Sequence, residues 1–418
     1  MRVLALTNLY PPHSYGGYEW TCHDTMRRFA EHGHEVSVLT SDARVDGVDA
    51  PDSPDVDRSL SSWWDWRWQV RVQQPRRAVL RREVRNLGRL RGALRRVQPD
   101  VVSVWHMGGL GLSLLAEVER RGLPMVIVVE DDWLVYGPQR DPWRTARDGA
   151  PLTRAVARLA GVPQRDATLS GARVVFCSAF TRDTALAGDG WQLGQVGVEP
   201  LGIDIRDFPI TPYAERPWTW KVLYVGRMEP QKGVETLLRA FARLPAQATL
   251  TLLGGGNEGF QASMRELAES LGVAERTRFG VAPREQLAAA YREADVLVFP
   301  SEWAEPFGLV PLEAMACAVP VVATGTGGSA EFLRDGENAS LFRAGDCDDL
   351  VGALTRLAGD PRLRRHLVTG GSQTAERLTA DRFAGRMLEV HEEVAGSRRP
   401  GTVSANPSTT AGEGQRGD

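Results

Sequence analysis

The chain has 418 residues, 42% of them hydrophobic and 25% charged, with a formal net charge of −3. That length exceeds one core of ordinary size, so two domains are the default, and the charge balance argues against a nucleic-acid binder as a whole. Four scattered cysteines (Cys22, Cys177, Cys317, Cys347) form no C-x-x-C pair, which suits a reducing cytoplasm and excludes a structural zinc of that type.

The first residues, MRVLALTNLYPP, open directly on a strand-like run, with no h-region for a secretory signal and no later run of membrane-spanning length. Short β-branched runs then alternate with amphipathic segments. In the first half they are EVSVLT (35–40), DVVSVWH (100–106), MVIVVED (125–131), RVVFCS (173–178) and VGVEPLG (196–202). In the second they are KVLYVGR (221–227), ATLTLLG (248–254), RTRFGV (276–281), DVLVFPS (295–301) and VPVVAT (319–324). Near-continuous apolar runs, each followed by a helical pattern, predict parallel strands covered on both faces. The break near TPYAERPWTW (211–220) divides them into two doubly wound α/β domains, whose ligand cleft lies outside the strands' carboxyl ends.

Several loops at those ends carry candidate chemistry. HSYGGYEW places Gly16 and Gly17 after the first strand, as a close approach to a ligand or as a plain tight turn. His32 and His34 resemble a metal pair, but Gly33 between them reads as a helix C-cap. Asp55 and Asp57 fall in a Pro/Asp-rich loop, and Asp346 and Asp348 read as N-terminal acids of a helix. Glu130, Asp131 and Asp132 end a strand together, yet no histidine or further acid completes a metal shell, so no metal is expected. GGGNEG (254–259) matches G-x-G-x-x-G but follows the second strand of its half, with no acid in place for a ribose; its glycines still expose N–H groups to an anion.

VGRMEPQKG puts Arg227 and Lys232 at a strand–helix junction, two cations that suit a diphosphate. Only two of the 50 basic residues are lysines, Lys221 and Lys232, which sets Lys232 apart. SEWAEPFGLVPLEAMA spaces Glu305 and Glu313 eight positions apart within an apolar stretch, and carboxylates there need partners.

Taken in order, the Gly-Gly turn, Gly-Arg…Lys-Gly, the glycine run and E-x7-E with Pro-Phe-Gly resemble the retaining glycosyltransferases of family 4, which have the GT-B fold. The resemblance runs from Met1 to about Val394 and implies a cytoplasmic, metal-independent transferase. Its donor would be a nucleotide-diphosphate sugar, most simply a UDP-sugar. Its acceptor would be a hydroxyl on a small molecule, a glycan or a lipid-linked carrier. A sugar-nucleotide epimerase and a non-catalytic GT-B scaffold are the alternatives. By resemblance, Glu313 binds the ribose and Glu305 faces the transferred sugar, while Arg227 and Lys232 take the leaving diphosphate's charge. Gly16, Gly17, Gly226, Gly254, Gly256, Val281, Phe307, Gly308, Leu309, Val310, Gly327 and Gly328 line the donor pocket. Where the family usually has a histidine beside the sugar, this chain has Glu130, which puts the donor sugar in question and points toward an amino sugar.

The implied organisation is an acceptor domain (1–205), a donor domain (206–380), a helix returning to the first domain (381–395) and a disordered tail (396–418). Acceptor contacts are expected from Trp63, Trp64, Asp131 and Trp133, since aromatic faces suit sugars. Trp63, Trp64, Trp66 and Trp68 precede a helix with nine arginines and one acid between Arg76 and Arg96. Its apolar stripe (Leu80, Val84, Leu87, Leu90, Leu94, Val97) packs on the sheet or, as a second reading, touches an anionic membrane.

Overall fold

The computed structural model describes residues 1–45, 48, 53–65, 70–148, 151–188 and 190–397. The first domain's strands are β1 (Arg2–Leu6), β2 (Glu35–Ser41), β3 (Val56–Leu60), β4 (Trp64–Asp65), β5 (Val70–Arg71), β6 (Val101–Val104), β7 (Met125–Val129), β8 (Arg173–Phe176) and β9 (Gln195–Val198). All but β4 and β5, a small antiparallel pair, form one parallel sheet in the order β3-β2-β1-β6-β7-β8-β9. The second domain has β10 (Lys221–Val225), β11 (Thr249–Leu253), β12 (Thr277–Gly280), β13 (Val296–Phe299), β14 (Val321–Ala323) and β15 (Ser340–Leu341), in the order β12-β11-β10-β13-β14-β15.

Each apolar run read from the sequence is a strand, and the central ones, β6 and β7, are buried along their whole length. Burial on both faces is what makes those runs continuous. Four strands were not legible, the short pair β4 and β5 among them. β3, with the sequence VDRSL, lies at the sheet edge and takes Asp57 out of its expected loop, and β15 is only two residues long. In each sheet the strand order reverses once, between β1 and β6 and between β10 and β13. Ligands bind at such reversals, and the loops leaving these four strands carry the Gly-Gly turn, His106, Arg227 and Glu305.

The chain crosses between domains twice. Ile203 pairs with Thr379 at the crossing, where Gly202 is so close that a Cβ would lie 2.1 Å from the Thr379 carbonyl carbon. The last helix, Ala380–Gly396, then packs on helix Gly17–Glu31 and on β6 and β7 of the first domain. It buries Phe383, Met387, Val390 and His391, and the His391 ring bonds Ser103 Oγ on β6 at 2.8 Å. Helix Arg76–Val97 buries Leu87, Leu90 and Leu94 of its stripe, with Val79 beside them and Leu80 and Val97 partly buried on the same core, although Val84 faces outward beside the exposed arginines. Gly33 caps helix Gly17–Glu31 with a positive φ of 83°, and His34 N–H closes on Phe29 O at 3.1 Å. That is capping geometry, as the sequence implied. Among the described residues, no helix is long and apolar enough to cross a membrane.

Candidate active site

The two glutamates of SEWAEPFGLVPLEAMA, Glu305 and Glu313, have different partners. Glu313 sits on helix Leu309–Ala316, buried, and accepts a 2.7 Å hydrogen bond from the Tyr291 hydroxyl. Burial raises its pKa, while the Arg284 charge and the Tyr291 bond oppose that rise. Arg284 bridges the domains: its Nε donates to Asp207 at 2.7 Å and Nη2 lies 3.5 Å from Asp24, with Trp20 and Phe208 against its guanidinium. Glu305, in the loop after β13, takes Lys232 Nζ at 2.7 Å. Lys232 also lies 5.8 Å from the Trp303 ring centroid. Two carboxylates in an apolar stretch are thereby matched, one by hydrogen bond and one by charge.

The glycines supply close backbone approach. Gly226, Gly254 and Gly256 all have positive φ, and a Cβ on Gly254 would lie 1.9 Å from Gly226 O. Only glycine fits there, and the loops after β10 and β11 lie backbone to backbone, Met228 N–H donating to Gly255 O at 2.7 Å. Arg227, which follows Gly226, pairs with Glu229 at 2.7 Å, a partner the sequence did not reveal. Val281 follows β12 and is 75% exposed. Gly308, at φ 95°, opens helix Leu309–Ala316 and leaves Leu309 and Val310 half-buried, whereas Phe307 is buried against Phe332.

Across the cleft, Gly16 N–H donates to Glu19 at 2.9 Å, so the Gly-Gly turn starts helix Gly17–Glu31. A Cβ on Gly17 would lie 3.0 Å from Leu309 Cδ1, which puts the two domains in contact at this point. A second contact joins Ser178 Oγ to Pro306 O at 2.6 Å. There Gly328 lies within the same turn, its N–H donating to Glu305 O at 2.6 Å, just after Gly327. Glu331 caps the first-domain helix Ala179–Leu186, accepting from Ala179 and Phe180 N–H at 3.1 and 2.8 Å.

On the first domain, Glu130 ends β7 and is buried, and burial drives its pKa well up. Asp131 accepts from Tyr136 Oη at 3.0 Å and faces His106 Nε2 at 3.2 Å. His106 stacks on Tyr18 and lies 3.7 Å from Glu19. Burial pulls the imidazolium pKa down, but Asp131 and Glu19 outweigh it and lift it to about 9. Glu19 and His106 were not singled out from sequence as site residues, because no local pattern marks a pair joined only by tertiary packing.

The tryptophan expectation needs correction. Trp133 is fully buried against Trp191, and Trp63 is buried with Trp64 edge-on to it. Neither Trp63 nor Trp133 offers a ring face to an acceptor; both fill core space. Trp64 is half-buried, and Trp66 and Trp68 lie outside the described residues, as does the tail from 398 onward. Asp24, Asp204 and Asp207 bring oxygens within 4.8 Å of one another at the domain junction. Arginines already occupy them: Asp204 pairs with Arg27, Arg28 and Arg206, and against its burial Arg206 and Arg28 hold its pKa at about 2. The cluster therefore reads as an ion-pair hub at the crossing.

Two facing Rossmann-like domains with glycine turns and paired charges at the strand-order reversals define a GT-B protein. Solved structures share the fold. Sucrose-phosphate synthase from Thermosynechococcus elongatus superposes with TM-score 0.71 at 22% identity, covering 95% of this chain and 100% of that one. Anabaena HepE in complex with UDP superposes at 0.67 and 20% identity, covering 94% and 100%. Residues 15–207 match the family described as Glycosyltransferase Family 4, and residues 212–374 match Glycosyl transferases group 1. The chain belongs to glycosyltransferase family 4. Among relatives, a D-inositol 3-phosphate glycosyltransferase of Thermomonospora curvata is 39% identical over 181 residues, 41% of this chain and 42% of that protein. The match thus spans less than half of that relative. A glycogen synthase of Mycobacterium tuberculosis is 28% identical over 401 residues, 91% of each chain.

Proposed function

We propose that this protein transfers a sugar from a UDP-sugar to a hydroxyl acceptor with retention at the anomeric carbon and without a metal. The observation that carries the reading is Lys232 held 2.7 Å from Glu305 beside Arg227 and the Gly226–Gly254 turns. Those turns accommodate backbone approach to a diphosphate, and Glu313 with Tyr291 and Arg284 forms a buried polar end for the ribose. The donor's anomeric C–O bond breaks, the diphosphate leaves toward Lys232 and Arg227, and the acceptor oxygen bonds the same face. Its proton passes to a departing phosphate oxygen. The two cations stabilise charge that grows only in the transition state.

HepE bound to UDP and UDP-glucose supports the choice of nucleotide by analogy of fold. The acceptor is a small molecule, a glycan or a lipid-linked hydroxyl, and the cytoplasm is the natural compartment for four free thiols. Exposed arginines on helix Arg76–Val97 lie next to helix Pro151–Leu159, whose Leu152, Val156 and Leu159 face outward; this favours peripheral contact with an anionic membrane as a location for the acceptor. The test is a panel of nucleoside diphosphates read by melting temperature, followed by UDP-sugars with and without acceptors. UDP should give the largest shift. Conversion of a UDP-sugar without any acceptor would replace this reading with the epimerase.

A further inference from the structure

At the carboxyl end of β7 the cleft floor gathers acid that the transfer chemistry leaves unused. Glu130 is buried, and its Oε1 has no hydrogen-bond partner among the described residues. An unsatisfied buried acceptor is destabilising, so its retention asks for a reason. After burial itself, Glu19 and Asp131 oppose its ionisation, and only the Thr21 hydroxyl favours it. The cation of the cluster, His106, is already engaged by Asp131 at 3.2 Å and Glu19 at 3.7 Å. The cluster sets three carboxylates against one cation.

Glu130 follows β7 beside the end of the neighbouring β8, where Cys177 N–H donates to Val129 O at 3.0 Å. Cys177 Sγ in turn donates to Pro306 O at 3.5 Å, next to Glu305. A bare divalent ion does not account for it. Among the described residues, the acidic group whose oxygens converge within 4.8 Å is Asp24, Asp204 and Asp207, at the domain crossing. A balancing charge belongs on a larger molecule.

We propose that Glu130, with Glu19 and Asp131, binds a primary ammonium group of the substrate, making an amino sugar or aminated polyol the class of one reaction partner. This rests on the transferase reading above. An ammonium carries three donors and a full charge, enough to satisfy Oε1 and return Glu130 to its ionised state. A neutral hydroxyl supplies one donor and no charge.

The donor and acceptor arms are separable. The full chain is titrated with UDP, UDP-glucose and UDP-glucosamine, and then, at saturating UDP, with glucose and glucosamine. In one of the two pairs the amine should bind at least about tenfold more tightly than its hydroxyl counterpart. The pair that discriminates identifies the aminated partner. Glu130→Gln should erase that preference, and Glu130→His, which places a basic ring there, should reverse it; the UDP-induced rise in melting temperature reports that both variants are folded. Equal affinities in both pairs, or a preference that survives in both variants, overturn the inference while UDP binding leaves the transferase reading standing. Absence of UDP binding to wild type overturns both.

Discussion

Replacing Lys232 by methionine tests whether its charge serves Glu305 or the leaving group. The two side chains are 17% and 6% exposed, with nitrogen and oxygen 2.7 Å apart. Removing one partner of a buried pair costs about 3–5 kcal/mol because the other charge stays behind. The residual exposure of Lys232 places Lys232→Met near the lower end, about 3 kcal/mol by urea melts. Adding Glu305→Gln removes the stranded charge and should recover about 2 kcal/mol. Turnover should not follow stability. In the Glu305→Gln background, Lys232→Met should still slow UDP release from a UDP-sugar on the order of 100-fold, since the diphosphate still lacks its cation. No further loss in that background would show that Lys232 acts only through Glu305, and the proposed charge at the leaving group would be wrong.

Lys232→Arg should fold normally and lose at least about tenfold in rate, because a planar fork replaces a compact ammonium held between Glu305 and Trp303; wild-type rates would show that any positive charge suffices. Glu305→Ala should lower turnover with UDP affinity intact, which titration of free UDP checks. Glu83 is buried against Ser113 Oγ at 2.6 Å, with its pKa raised to about 7 by burial and by Asp141. A raised carboxyl pKa gives stability that is full below about pH 4.3 and fades as pH rises through 7. Glu83→Gln should therefore flatten the fall in melting temperature between pH 5 and 8, a change of about 2 kcal/mol, and an unchanged pH profile would refute the assignment. Ending the chain at Ala380 removes Phe383, Met387, Val390 and His391 from the first domain's core, and should leave no soluble, active protein on expression.

The parts of the site that lie within one loop were legible in the sequence. Glu305 and Glu313 with their Pro-Phe-Gly turn, the Gly-Arg…Lys-Gly pair and the glycine run are local patterns whose backbone demands fix residue type. Their partners were not. Tyr291, Arg284 and Glu331 come from other elements, and Arg284 is one arginine in a chain rich in them; Glu229 lies in Arg227's own loop, but nothing in that short stretch marks it as a partner. The tryptophans misled for the same reason: aromatic composition signals a ring, but packing decides whether Trp133 meets a ligand or Trp191. Central strands declared themselves because burial on both faces leaves few polar positions, whereas β3 keeps Asp57, Arg58 and Ser59 at an edge. Val56 and Leu60 alone make too weak an alternation to read.

The central claim is a metal-free UDP-sugar site built on Glu313, and calorimetric titration of UDP tests it most directly. Wild type in excess chelator should bind one UDP per chain, and Glu313→Ala, with a normal melting curve, should bind it at least about tenfold more weakly. Loss of binding in chelator that manganese restores, or undiminished affinity in Glu313→Ala, would contradict the account.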